Sequence, residues 1–162
     1  MDVFVIGGSG LVGQNVIDHC KEMGRSVIGS YRTSPTEETD IHLDVTNPES
    51  VREVLTNHRP DVVIDTAAFH AVDECETNRE LAWEVNAGGT ATVARVADDI
   101  DAHFIYLSTD YIFPGNSDEA PYVETDSVAP LNYYAETKYA GEQASKIADA
   151  VTVLRPSVIY GL

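Results

Sequence analysis

The chain has 162 residues, 43% of them hydrophobic, enough for one folded domain with a sizeable core. Its 27 Asp and Glu against 10 Lys and Arg give a formal net charge of −17, which argues against nucleic acid and anionic membrane surfaces as partners. No apolar run reaches membrane-spanning length and no secretory leader precedes the strand-like residues that begin at Val3, so the expected location is the cytoplasm.

Residues 3–6 form a short β-rich run. It passes into glycines and then into an apolar-periodic stretch through Leu11, Val12, Val16 and Ile17, read as a helix ending near Gly24. Residues 26–30 read as a second strand. Asn47-Pro48-Glu49 is a helix start, with Asn47 as N-cap and Pro48 in the first helical position, and this helix runs to about His58. DVVID at 61–65 reads as a buried strand. One long helix is expected over 77–99, with Leu81, Val85, Val93 and Val96 on its apolar face and Gly88-Gly89 as a weak point or close-packing site. Residues 104–107 read as strand, 133–147 as helix and 151–154 as a last strand. Between them, residues 110–132 form a long irregular segment rich in Pro, Asp and Glu, of the kind that is functional or mobile.

This alternation predicts an α/β fold, a doubly wound parallel sheet with helices on both faces, formed by residues 1–162 as one domain. Strands buried on both sides explain unalternated runs such as VVI and VTVL. The chain ends on RPSVIYGL, leaving a strand with no closing helix, so a larger architecture is expected to continue from it. Cys20 and Cys75 fit no metal spacing and no disulfide framework, and each is expected as a small buried apolar residue. The acidic residues are spread over helices and loops. That is the pattern of a surface adapted to high salt, with an ordinary acidic protein as the alternative.

GGSGLVG places Gly7, Gly10 and Gly13 at three-residue intervals between the first strand and the first helix. Gly7 would permit the tight turn, Gly10 the approach of a pyrophosphate to the backbone, and Gly13 close helix–strand packing. The helix N-terminus would then supply amide donors and partial positive charge to the phosphates, which makes this a dinucleotide-binding, Rossmann-like turn. An NAD site commonly ends its second strand on an acid for the ribose 2′-hydroxyl. Here the strand ends Gly29-Ser30-Tyr31-Arg32, with Arg32 able to face a 2′-phosphate, so NADP is favoured and NAD stays open.

In LNYYAETKYAGE, Tyr134 and Lys138 stand four positions apart and share a helix face. A phenol with its ordinary pKa near 10 is a poor acid–base group at neutral pH, and an adjacent ammonium would lower that value. Such a pair can protonate a carbonyl oxygen, and a hydroxyl from another element would hold that oxygen. Ser108-Thr109 closes the expected central strand on the side where open α/β sheets bind ligands.

Read together, GGSGLVG, LDV (43–45), DTAAFHAVDECE (65–76), EVNAGGT (84–90), STDYIFPG (108–115), ETDSVAPLNYYAETKYAGE (124–142) and LRPSVIYG (154–161) resemble the extended short-chain dehydrogenases/reductases, and among them the dTDP-4-dehydrorhamnose reductase family. The resemblance covers nearly the whole chain. It implies an NADP(H)-binding domain that acts on a small-molecule nucleotide-sugar, in an assembly for which a homodimer stays open. It implies Tyr134 as proton donor, Lys138 on the nicotinamide ribose, Thr109 on the substrate carbonyl and Asp110 beside it at the sugar. Asp44 and Val45 would flank the adenine, Ala67, Ala68 and Phe69 would line the phosphate and ribose path, and Leu11 and Val12 would offer backbone to the pyrophosphate. Asn86 matches a recurrent asparagine of structural or water-positioning role. No metal is implied. Phe69-His70 stands where the family often has Tyr-Thr, His70 being read as a polar lining residue, and Leu11 replaces a common glutamine. The family's C-terminal sugar domain is missing from these residues. An epimerase or dehydratase of the same superfamily, or a non-catalytic cofactor-binding regulatory module, remain the alternatives.

Overall fold

In the computed structural model, which describes residues 1–116, 118 and 120–161, six short strands pair in parallel into one sheet. They are β1 (Asp2–Ile6), β2 (Ser26–Tyr31), β3 (Thr39–His42), β4 (Val62–Asp65), β5 (His103–Leu107) and β6 (Val151–Leu154). Their spatial order is β3-β2-β1-β4-β5-β6, with every pairing parallel. The chain winds outward from β1 in one direction and from β4 in the other. The crevice between them, at the C-terminal strand ends, is where such sheets bind ligands.

Among the described residues six α-helices flank the sheet: α1 (Leu11–Glu22), α2 (Pro48–His58), α3 (Val72–Thr77), α4 (Arg79–Trp83), α5 (Thr90–Asp99) and α6 (Tyr133–Ser145). The two faces are covered unequally. Phe4, Ile6, Val63, Phe104 and Tyr106 point into the larger core, where Val51 and Leu55 of α2 and Val93, Ala94 and Ala97 of α5 cover them. Val3 and Val5 point the other way, against Ile17 of α1. Fully burying Phe4 or Phe104 contributes about 1.5–3 kcal/mol each. Asn47 caps α2 as expected, its Oδ1 accepting from Glu49 N and Ser50 N at 3.1 Å.

The structure departs from the sequence expectation at three places. β3 is a strand where none was expected, a four-residue edge strand whose one buried residue is Thr39. The helix expected over 77–99 is broken at Asn78 and carries a π turn, Glu84–Gly89, between α4 and α5, with α3 as a separate segment before it. Gly89 does lie at a close contact: a Cβ there would come within 2.7 Å of Val45 Cγ2. Cys75 is buried, but Cys20 is only half-buried on the rim of the α1 face. Ser117 and Glu119, within the irregular 110–132 segment, and Leu162 lie outside the described residues.

Among the described residues no helix is long and apolar enough to cross a membrane. The net charge of −17 makes folding work against self-repulsion that salt relieves. Raising KCl from about 0.1 M to about 1 M shortens the screening length from about 10 to about 3 Å. Tm is therefore expected to rise over that range in calorimetry, and a flat or falling Tm would remove the high-salt reading of the surface.

Candidate functional site

A cleft of about 420 Å³ opens at the C-terminal ends of the central strands. Its first wall is the glycine turn. Gly7, at φ +76°, reverses the chain after β1, and Gly10 N donates to Gly7 O at 3.0 Å. The Thr66 hydroxyl donates to Ile6 O at 2.7 Å and to Gly7 O at 3.2 Å, tying the turn to the end of β4. A Cβ on Gly13 would collide with Gly7 O and Gly8 Cα, so only glycine lets α1 start this close to β1. Gly10 is the N-cap of α1 and no side chain caps the helix. The first-turn amides of Leu11, Val12 and Gly13 thus face the cleft as free donors at a positive helix end, which suits a diphosphate.

Arg32 is exposed just past β2 and acts on Asp44 beyond β3. Partial burial pushes the Asp44 carboxyl up, but hydrogen bonds from Thr46 N and Oγ1 and the charges of Arg32 and His42 hold it below the usual range. Val45 turns its side chain away from the cleft. It is 5% exposed and packs against Gly89 in the core, so only its backbone could meet an adenine. Among Ala67, Ala68 and Phe69, only Ala68 lines the cleft. Ala67 and Phe69 pack against the main core. The buried Asn86, projecting from the π turn, explains this: its Oδ1 accepts from Phe69 N at 2.9 Å and its Nδ2 donates to Phe69 O and Thr137 Oγ1 at 3.0 Å. One amide thereby sets the cleft loop after β4 against α6.

The opposite wall brings Thr109, Asp110, Tyr134 and Lys138 together. Asn132 caps α6 by accepting from Ala135 N at 2.9 Å, which fixes where the helix starts and which way Tyr134 points. The Tyr134 ring meets the edge of Tyr111, with centroids 6.5 Å apart and planes at 89°. Burial pushes the Tyr134 phenol up from its ordinary value, Cys75 and Asp110 push the same way, and the Thr109 hydroxyl opposes them. This corrects the expectation of a phenol made more acidic by Lys138. The ammonium lies instead 4.3 Å from the centroid of the Tyr106 ring, on the inner side of α6. Burial pulls Lys138 down to about 8, against the pull of Asp65. A buried phenol of this kind is held protonated at neutral pH.

Several lining residues were not singled out from the sequence. Tyr111, Val72 and residues 156–159 line the cleft, and so does His70, as expected. Ser108 was noted only as the neighbour of Thr109. The residue lines the cleft, and its buried Oγ has no hydrogen-bond partner among the described residues. With the uncapped α1 terminus, this makes the cleft fit a dinucleotide better than an apolar guest.

The sequence pattern of the family described as RmlD substrate binding domain matches residues 1–162. The "Probable low-salt glycan biosynthesis reductase" of Haloferax volcanii is 40% identical over 164 residues, covering 99% of this chain and 54% of that protein. The dTDP-4-dehydrorhamnose reductase of Escherichia coli (strain K12) is 39% identical over 144 residues, covering 89% of this chain and 46% of that protein. A crystal structure of dTDP-4-dehydrorhamnose reductase from Bacillus anthracis in complex with NADP superposes with a TM-score of 0.89 at 32% identity, covering 99% of this chain and 55% of that one. The chain spans about half the length of the curated relatives it matches.

Proposed function

This chain belongs to the family described as RmlD substrate binding domain, and on that premise we propose that it carries out the NADPH-dependent reduction of the C4 ketone of dTDP-4-dehydro-L-rhamnose, giving dTDP-L-rhamnose. The observation that carries this reading is one cleft that holds both the uncapped α1 terminus and the trio Thr109, Tyr134 and Lys138. The amides of Leu11, Val12 and Gly13 would hold the diphosphate of the cofactor, Ala68 would lie along its path, and Arg32 would meet a 2′-phosphate. When bound, the reduced nicotinamide supplies the hydride.

The chain's own residues then have separable tasks. Thr109 Oγ1 orients the ketone oxygen, and Asp110 beside it meets the sugar. The Tyr134 hydroxyl gives its proton to the oxygen of the reduced carbon, a transfer for which burial keeps the phenol protonated beforehand. Lys138, whose ammonium lies over the Tyr106 ring beneath the cleft, would hold the nicotinamide ribose from below. Tyr111 and residues 156–159 line the cleft beside the reacting oxygen.

The test offers the protein NADPH with dTDP-4-dehydro-L-rhamnose and, separately, NAD+ or NADP+ with dTDP- and UDP-sugars that carry no ketone, since epimerisation and dehydration both begin by passing hydride from the sugar to an oxidised nicotinamide. Loss of reduced nicotinamide with formation of dTDP-L-rhamnose is expected in the first mixture only. Epimerised or dehydrated sugars would move the chain to the rival activities of the superfamily. Cofactor binding without turnover of any 4-keto sugar, in a chain that spans the full length of the relatives, would leave a regulatory module; residues 1–162 by themselves are expected to bind cofactor better than they turn over sugar.

A further inference from the structure

We propose that Asp65 is a positioning residue for Lys138: a carboxylate buried at the C-terminal end of β4 that keeps the lysine charged beneath the cleft. Only its consequence for turnover rests on the reductase reading above.

The placement follows from the sheet. β4 and β5 are parallel neighbours, and Asp65 is in register with Tyr106, so the two side chains stand on the same face. Lys138 Nζ lies 4.3 Å from the centroid of the Tyr106 ring, which sets the ammonium over that strand pair. Asp65 is 2% exposed and Lys138 3%, so both charges are removed from water. An ammonium in that position becomes neutral unless a negative charge compensates it.

The other groups around it do not supply that charge. On β5, Tyr106 is a phenol held far above its ordinary value by burial, and its hydroxyl donates to Asn86 O and Lys138 O. On α6, Tyr134 is likewise kept neutral, first by burial. Glu142, one turn further along α6, is committed to Arg155. Cys75 on α3 and Asp110 after β5 act on Tyr134. Asp65 is the charge that acts on Lys138, from beyond ion-pair contact, and its Oδ1 accepts a hydrogen bond from Ala67 N at 3.1 Å.

The pair has a defined working window. Burial pushes Asp65 up to about 6, opposed by Lys138 and the Ala67 amide, and pulls Lys138 down to about 8, opposed by Asp65. Between these values both partners are charged. Without the carboxylate, burial acts on Lys138 unopposed, and the cation is lost closer to neutral pH.

The chain has three lysines, Lys21, Lys138 and Lys146, so a protein labelled with [13Cε]lysine allows each one to be titrated separately by NMR. Lys138 is expected to titrate near 8. In Asp65→Asn it is expected about one pH unit or more lower, with Lys21 and Lys146 unmoved. In steady-state kinetics the alkaline limb of kcat/KM should move down with it. An unchanged Lys138 titration in Asp65→Asn overturns the proposal. Should that variant not fold, the Asp65 carboxyl carbon is followed instead in the native protein and in Lys138→Met. It should titrate higher in the variant, and an equal midpoint overturns the proposal as firmly. A shifted lysine in a protein that reduces no sugar would sink the reductase reading and leave the pair standing.

Discussion

Replacing Tyr134 with phenylalanine is expected to lower kcat/KM for ketone reduction by about 10²–10⁴-fold, the range lost when a positioned general acid is removed. The aromatic body of Tyr134 packs edge-on against Tyr111, and phenylalanine keeps that contact. Cofactor Kd should therefore stay within about twofold, and stability within about 0.5 kcal/mol. The pH behaviour adds a second check. Burial raises the phenol's pKa, so the donor remains protonated through neutral and mildly alkaline pH. The first group lost on the alkaline side is then Lys138, near 8, and the native rate should fall there. Rates of Tyr134→Phe within a few-fold of the native protein would remove Tyr134 as the acid.

The parts of this fold written in local pattern were legible. The glycine turn after a β-rich run, the Asn47-Pro48 helix start and the VVI run each depend on residues adjacent in sequence, and each lies where it was expected. VTVL is a strand as expected but is not buried on both sides: β6 is an edge strand with Thr152 and Leu154 exposed. β3 escaped because Thr39–His42 buries one residue and is held mainly by pairing with β2, which leaves little hydrophobic signal. The π turn escaped because an extra residue per turn at Glu84–Gly89 shifts helical periodicity too little to read.

At the site, Tyr134 and Lys138 were legible as a pair by spacing, but not where the lysine points. That depends on Asp65 and Tyr106, which come from strands distant in sequence. The same reason hid the inward turn of Val45, set by its contact with Gly89, and the orphaned hydroxyl of Ser108. Spacing along a helix gives the face a residue occupies, and the neighbours waiting on that face are a property of the sheet.

The other large expected effect lies away from the cleft floor. Arg155, directly after β6, donates from Nη2 to Glu142 Oε1 at 2.7 Å and from Nε to Glu142 Oε2 at 2.9 Å, a two-point pairing with α6. Its Nη1 donates to Glu124 O at 2.9 Å, and its guanidinium lies 5.4 Å from the centroid of Phe113, itself stacked on Tyr122. One side chain thus joins β6, α6 and the acidic segment that follows Thr109. Arg155→Met leaves the Glu142 carboxylate, whose side chain is 2% exposed, without its cation. Stranding a buried charge costs about 3–5 kcal/mol. The Arg155 side chain is itself 18% exposed, which admits some water and favours the lower end, about 3 kcal/mol. For a chain of this size that corresponds to a fall in Tm of about 6–12 °C. The double variant Arg155→Met with Glu142→Met should recover most of that loss, because replacing both partners by apolar groups of similar volume is close to neutral. It should not recover the tether to Glu124 O. Limited proteolysis around residues 123–126 should stay faster than in the native protein even where Tm has returned. A single Arg155→Met variant as stable as the native chain would show that water already compensates Glu142, and the clasp would then be a surface contact of little energetic weight.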